Sequence, residues 1–89
     1  MIKTKEMANV FKALANYRRL EILRALKRKK DLTVGEIAGQ IKLSFKSTSR
    51  HLAVLASARI VDREQISLEV YYEIASELPA LARPAVSML

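Results

Sequence analysis

Leu43-Ser44-Phe45-Lys46-Ser47-Thr48-Ser49-Arg50-His51-Leu52 is the stretch on which the fold turns. Ser44 is a residue type that accepts a hydrogen bond from a free N–H in the first turn of a helix. Thr48, Leu52 and Leu55 then recur at helical spacing. A helix running to about Ala58 with that stripe buried leaves Lys46, Ser47, Ser49, Arg50 and Val54 on its exposed faces. No Asp or Glu occurs from Leu43 to Ala58. Such a face suits the major groove of double-stranded DNA: Lys and Arg donate to guanine O6 and N7, and serines serve base edges or phosphates. A carboxylate there would meet the repulsion of the phosphates, and the free N–H groups at the helix start favour an anion. An ordinary solvated amphipathic helix carries the same stripe, so the surroundings have to decide.

Upstream, Thr33-Val34-Gly35-Glu36 has the form of a capping box, in which Thr33 and Glu36 each serve the other's backbone N–H. It predicts a short helix from Val34 to about Ile41 that buries Val34, Ile37 and Ile41. Before it, Asn16 can cap a helix with Leu20, Leu23 and Leu26 facing the core and Arg18, Arg19, Arg24 and Arg28 pointing elsewhere. That helix should end between Lys29 and Leu32. Thr4 can cap a first helix to about Leu14, with Met7, Val10, Phe11 and Leu14 on one face.

Downstream the period changes. Ile60–Glu64 and Leu68–Ile74 are rich in β-branched and aromatic residues, and Val70, Tyr72 and Ile74 alternate with Glu69, Tyr71 and Glu73. This predicts a β-hairpin with its turn near Gln65–Ser67. After Ser76 a last amphipathic segment carries Leu78, Leu81, Ala82, Ala85, Met88 and Leu89 at helical spacing. Pro79 suits its first turn, and Pro84 would kink or restart it. The order helix, helix, helix, helix, hairpin, helix is mainly α with a β-hairpin wing: a winged helix-turn-helix, one domain over residues 1–89.

Composition agrees. A chain of 89 residues buries only about 60–65% of its unfolded surface, so a second core is excluded and burial through dimerisation would help. The absence of cysteine removes disulfides, thiolate metal sites and thiol nucleophiles. With one histidine and no convergent pair of carboxylates, no catalytic set is recognisable and an enzyme is not expected. No signal peptide and no apolar run of roughly 18 residues occur, so a cytoplasmic protein without a membrane partner is expected.

The formal charge is +7 and it is polarised: residues 1–30 hold ten Lys or Arg against Glu6 and Glu21, while residues 61–89 hold two Arg against five acids. Such an imbalance points to a polyanion, nucleic acid or an acidic surface. Lys27-Arg28-Lys29-Lys30 reads equally as a helix end whose cations complement the macrodipole or as a phosphate clamp.

Four segments in the same order resemble the ArsR/SmtB-type family of winged-helix repressors. Phe11–Leu23 is similar to that family's opening motif, Leu32–Ala38 to its short helix, Ser44–Leu55 to its recognition helix and Val70-Tyr71-Tyr72 to the second strand of its wing. The resemblance implies a homodimer held by the first and last helices, with the Ser44–Ala58 helix reading a palindromic operator as a repressor. It assigns DNA contacts to Lys46, Ser47, Ser49, Arg50 and His51, to which Ser44 at the helix start and Arg63 in the wing are added. Lys46 and Arg50 are the strongest candidates on chemistry alone.

His51 has two readings, a partly buried ring whose hydrogen bond fixes the helix, or a direct contact to phosphate or base. The departures from the family are as informative. No thiolates stand in Thr33–Ile37, where metal-sensing members carry cysteines, and the last segment offers Glu77 but no histidine, so no metal or other cofactor is expected. Arg59 replaces the usual helix-ending glycine. The wing, Asp62-Arg63-Glu64-Gln65-Ile66-Ser67, is weakly basic, which shifts the expected phosphate binding to Arg18, Arg19 and Lys27–Lys30. A protein–protein module using Phe45, Val54 and the hairpin is the alternative, and the acid-free Lys46–Arg50 face favours DNA.

Overall fold

The structure, a computed structural model, describes residues 2–89. Helices α1 (Thr4–Leu14) and α2 (Tyr17–Arg28) are followed by strand β1 (Asp31–Thr33), helices α3 (Val34–Ile41) and α4 (Phe45–Ser57), and strands β2 (Val61–Ile66) and β3 (Glu69–Ile74). A 3-10 turn (Ala80–Ala82) and a short helix α5 (Arg83–Ser87) close the chain.

The predicted caps define most of these boundaries. Asn16 Oδ1 accepts from the Arg19 N–H at 3.1 Å, and Ser44 Oγ accepts from the Ser47 N–H at 3.1 Å. The capping box closes both ways: Glu36 N–H donates to Thr33 Oγ1 at 3.2 Å and Thr33 N–H donates to Glu36 Oε1 at 2.9 Å. Each cap satisfies a donor that the helix itself cannot. Thr4 departs from expectation. It is already helical, Lys3 occupies the cap position, and no side chain bonds there. The Met7 N–H reaches Lys3 O at 3.0 Å, so the helix has wound one residue further out than a threonine cap would allow.

The helix-turn-helix core forms where Ile22 and Leu23 of α2, Ile37 of α3, and Leu52 and Leu55 of α4 meet, joined by Leu32 and Ile60; all are fully buried. Burying each such side chain contributes about 1.5–3 kcal/mol. On α1 the buried positions are Val10 and Ala13, with Leu14 partly buried, whereas Phe11 is 51% exposed. Within the single chain, α2, α4 and the 3-10 turn thus cover only part of the face that carries Met7, Val10, Phe11 and Leu14.

Three strands form the sheet rather than two. β1 pairs antiparallel with β3 (Leu32 opposite Tyr72), and β2 flanks β3 on the other side (Arg63 opposite Tyr72), giving the order β1-β3-β2. A three-residue strand is too short to show a period of two, which is why the sequence did not reveal it. The hairpin turn falls at Ser67–Leu68, one residue later than expected, with Ser67 in the left-handed region at φ 60°.

Two helix ends adopt the same left-handed conformation without glycine. Lys42 has φ 56°, and the following Leu43 N–H reaches back to Ala38 O at 3.0 Å. Arg59 has φ 62°; its N–H donates to Ala56 O at 3.0 Å and the Ile60 N–H donates to Leu55 O at 2.9 Å. That pair of bonds is a Schellman motif, closed here by an arginine and locked by the buried Ile60. The last segment is less regular than one amphipathic helix. Pro84 restarts it as α5, which has only five residues, and Met88 beyond it is 80% exposed.

Candidate nucleic-acid interface

The α4 helix is held from beneath by Thr48, Leu52 and Leu55, all fully buried. Thr48 also anchors the helix start: its hydroxyl donates to Ser44 O at 2.8 Å, and so avoids being an unpaired polar group in the core. With that face fixed, Lys46 and Arg50 are exposed, while Ser47, Ser49 and His51 are partly covered. Ser44 is exposed, but its hydroxyl oxygen is taken up by the Ser47 N–H. No ion pair or hydrogen bond ties down the side chain of Lys46 or Arg50 among the described residues. Two free cations one turn apart on a serine-bearing face are a donor array without internal partners.

Arg63, isolated in sequence, lies beside α4 in space. Its register opposite Tyr72 puts it on the sheet face that carries buried Val61, Leu32 and Tyr72. There it lines a groove of about 400 Å³ together with Phe45 and Ser49 of α4, Thr33 before α3, and Leu68 at the hairpin tip. Phe45 is 63% exposed and Leu68 is 95% exposed, so part of the groove's rim is apolar. Four of the sheet's carboxylates lie on the other face. Asp31, Glu73 and Asp62 stand opposite one another across the three strands, with Glu64 one pair further along. Alternation along the strands thus sets Asp62, Glu64 and Glu73 on that face, while Glu69 at the hairpin tip lines the groove together with Arg63.

Other expected contributors have partners inside the protein. Arg18 donates to Ile41 O at 2.8 Å and pairs with Glu21 at 3.1 Å, with its guanidinium 5.2 Å from the Tyr17 ring. It satisfies a C-terminal carbonyl of α3 and so braces the turn into α4. Arg19 is bound by carbonyls of α1 and by His51. The Lys27–Lys30 run divides, since Lys27 Nζ donates to Ser87 O at 3.2 Å and Arg28 and Lys29 border an open cleft with Arg24 and Gln40. Phosphate binding was expected from Arg18, Arg19 and this run. In the structure Arg18, Arg19 and Lys27 bond to carbonyls at helix ends, a role that spacing alone could not reveal.

His51 Nδ1 lies 3.1 Å from Arg19 Nη1. Partial burial and then the charges of Arg19 and Arg18 hold the imidazole below its ordinary value of 6.5. The ring is therefore neutral at pH 7, and because a guanidinium has only donors, Nδ1 accepts and the proton sits on Nε2.

Comparison with known proteins agrees with this architecture. The sequence profile of the bacterial regulatory protein arsR family matches residues 16–63. The chain is 36% identical over 82% of its length to the transcriptional repressor SmtB homolog of Synechocystis, and 37% identical over 75% of its length to the transcriptional activator HlyU of Vibrio cholerae. It spans 54% and 61% of the lengths of those two relatives. The solved structure of HlyU superposes with a TM-score of 0.80 at 30% identity, over 99% of this chain and 92% of that one. The homodimeric winged helix-turn-helix DNA-binding domain Mb0332 of Mycobacterium bovis gives a TM-score of 0.80 at 30% identity, over 94% and 74%. Matched by the profile from the start of α2 into the wing, and built to the same plan as those structures, the chain belongs to the arsR family of bacterial regulatory proteins and is a winged helix-turn-helix.

Proposed function

We propose that this protein is a cytoplasmic transcriptional repressor that binds a palindromic operator in double-stranded DNA as a homodimer. The carrying observation is the acid-free exposed face of α4, where Lys46 and Arg50 stand unpaired and Arg63 approaches from the wing. A dimer would set two such helices about 34 Å apart on successive major grooves. Support for a dimer comes from the homodimeric Mb0332 domain and from two large apolar residues left exposed on the terminal elements, Phe11 and Met88. Support for repression comes from the SmtB homolog. The metal sites that thiolates make in this family do not fit this chain, which has no cysteine and a single histidine, so the proposed repressor carries no metal trigger of that kind.

Selection of genomic fragments by the purified protein, followed by titration of the enriched site at several salt concentrations, tests this reading. Arg50→Ala or Lys46→Ala should each weaken operator binding by on the order of 1–3 kcal/mol where the contact is bidentate, and relax sequence preference at one position. Affinity should fall steeply with salt as counterions are released. If both variants bind as the wild type does, α4 is not the reading element. The exposure of Phe45 and Leu68 around the groove favours a second reading, a protein-docking face. Failure to enrich any site would leave that reading standing.

A further inference from the structure

Every nitrogen of the Arg19 guanidinium is engaged inside the protein. Nε donates to Ala13 O at 2.7 Å, Nη2 to Lys12 O at 2.9 Å, and Nη1 to His51 Nδ1 at 3.1 Å. The backbone N–H of the same residue is held by Asn16 Oδ1. Lys12 and Ala13 belong to the last turn of α1, whose carbonyls have no partner within the helix. One rigid, planar group therefore ties the end of α1 and the start of α2 to the middle of α4. His51 lies between Arg50, exposed on the reading face, and Leu52, fully buried. A shift of its ring relative to Arg19 would turn that face.

We propose that Arg19 and His51 form a positioning clasp that sets the rotation of the recognition helix against α1, so that Lys46 and Arg50 present to DNA only while the clasp is closed. This rests on the DNA-binding reading of α4. The clasp has a chemical release. Protonation of Nδ1 removes the acceptor and places an imidazolium against a guanidinium with no carboxylate to mediate. The charges that act on the ring are Arg19 and then Arg18, both on α2, and Arg18 is itself paired to Glu21 at 3.1 Å. Lys12, whose carbonyl Arg19 Nη2 also holds, ends α1, and Arg50 precedes His51 on its own helix.

His51 titrates below 6.5 in the folded state. A lowered imidazole value means that the clasp's contribution is present above 6.5 and is lost as pH falls through the folded value. With one histidine and no cysteine, no other side chain of ordinary pKa titrates between about pH 5.5 and 7.

Operator affinity of the full chain, measured at constant ionic strength from pH 7.5 down to the lowest pH at which circular dichroism shows the chain folded, tests the clasp. The wild type should lose affinity as pH falls, on the order of tenfold per unit once the ring titrates. His51→Asn, whose side-chain oxygen stands near the Nδ1 position and does not titrate, should bind at pH 7.5 and give a flat profile. Arg19→Lys keeps the charge but loses the fork, and should bind weakly at every pH. A wild-type affinity that rises as pH falls marks an imidazolium on phosphate and overturns the clasp, as does a flat wild-type profile. Arg50→Ala and Lys46→Ala, measured alongside, separate the two readings. If they weaken binding while the wild type is flat, the clasp fails and the DNA-reading face stands.

Discussion

Arg59 ends the recognition helix in a conformation that favours glycine, and replacing it should stabilise the protein. At φ 62° its Cβ crowds the backbone in the left-handed region, which costs an L-residue about 1–2 kcal/mol. Glycine removes that cost but loosens the unfolded chain by about 0.4–1 kcal/mol. The side chain of Arg59 is exposed and makes no hydrogen bond or ion pair among the described residues, so little else is lost. Arg59→Gly should therefore gain about 0.5–1 kcal/mol. In a domain of this size that is a rise in Tm of about 2–8 °C. Thermal unfolding followed by circular dichroism at one fixed protein concentration reads it directly, the fixed concentration being needed because a dimer's Tm moves with concentration. Arg59→Ala keeps the strained φ and should gain nothing. Lys42→Gly, at φ 56° in the turn before α4, should repeat the gain. If both glycine variants melt at or below the wild type while the alanine variant matches them, backbone strain is not what these positions hold.

Two further outcomes follow from the described contacts. Glu36 is held below its ordinary value of 4.5, first by the Thr33 backbone N–H and then by the Thr33 hydroxyl. Its capping contribution is therefore present above 4.5 and lost as pH falls through the lower folded value, so Glu36→Gln should flatten the acid limb of a stability-against-pH curve; an unaltered acid limb would remove the capping box from acid sensitivity. Phe11→Asp should shift the protein toward monomer in sedimentation without unfolding it, because Phe11 is 51% exposed and outside the buried core of the single chain. A dimer that persists in that variant places the interface away from this face of α1.

The readable parts of the sequence were those in which physics acts over a few residues. Asn16, Thr33 with Glu36, and Ser44 mark helix starts because a side-chain oxygen three residues away is the nearest partner for a free N–H, and each bond forms as predicted. The recognition helix was legible for the same reason: Thr48, Leu52 and Leu55 recur at the helical period, so the exposed residues are those that remain once this stripe is buried.

What spacing does not encode is which distant groups meet. Strand β1 exists because β3 passes beside Asp31–Thr33, and three residues hold no periodic signal of their own. Arg18, Arg19 and Lys27 share a residue type and chain region with free cations, yet their partners lie 23, 32 and 60 positions away in Ile41, His51 and Ser87. Arg63 changes meaning when pairing with Tyr72 turns it toward α4 and leaves Asp62 and Glu64 on the far face. Local hydrogen bonding and the helical period, written in adjacent residues, determined the starts of α2, α3 and α4 and the face of α4 that meets solvent. Only tertiary packing, which orients one helix end against another, decided which cations remain free on that face and which hold it in place.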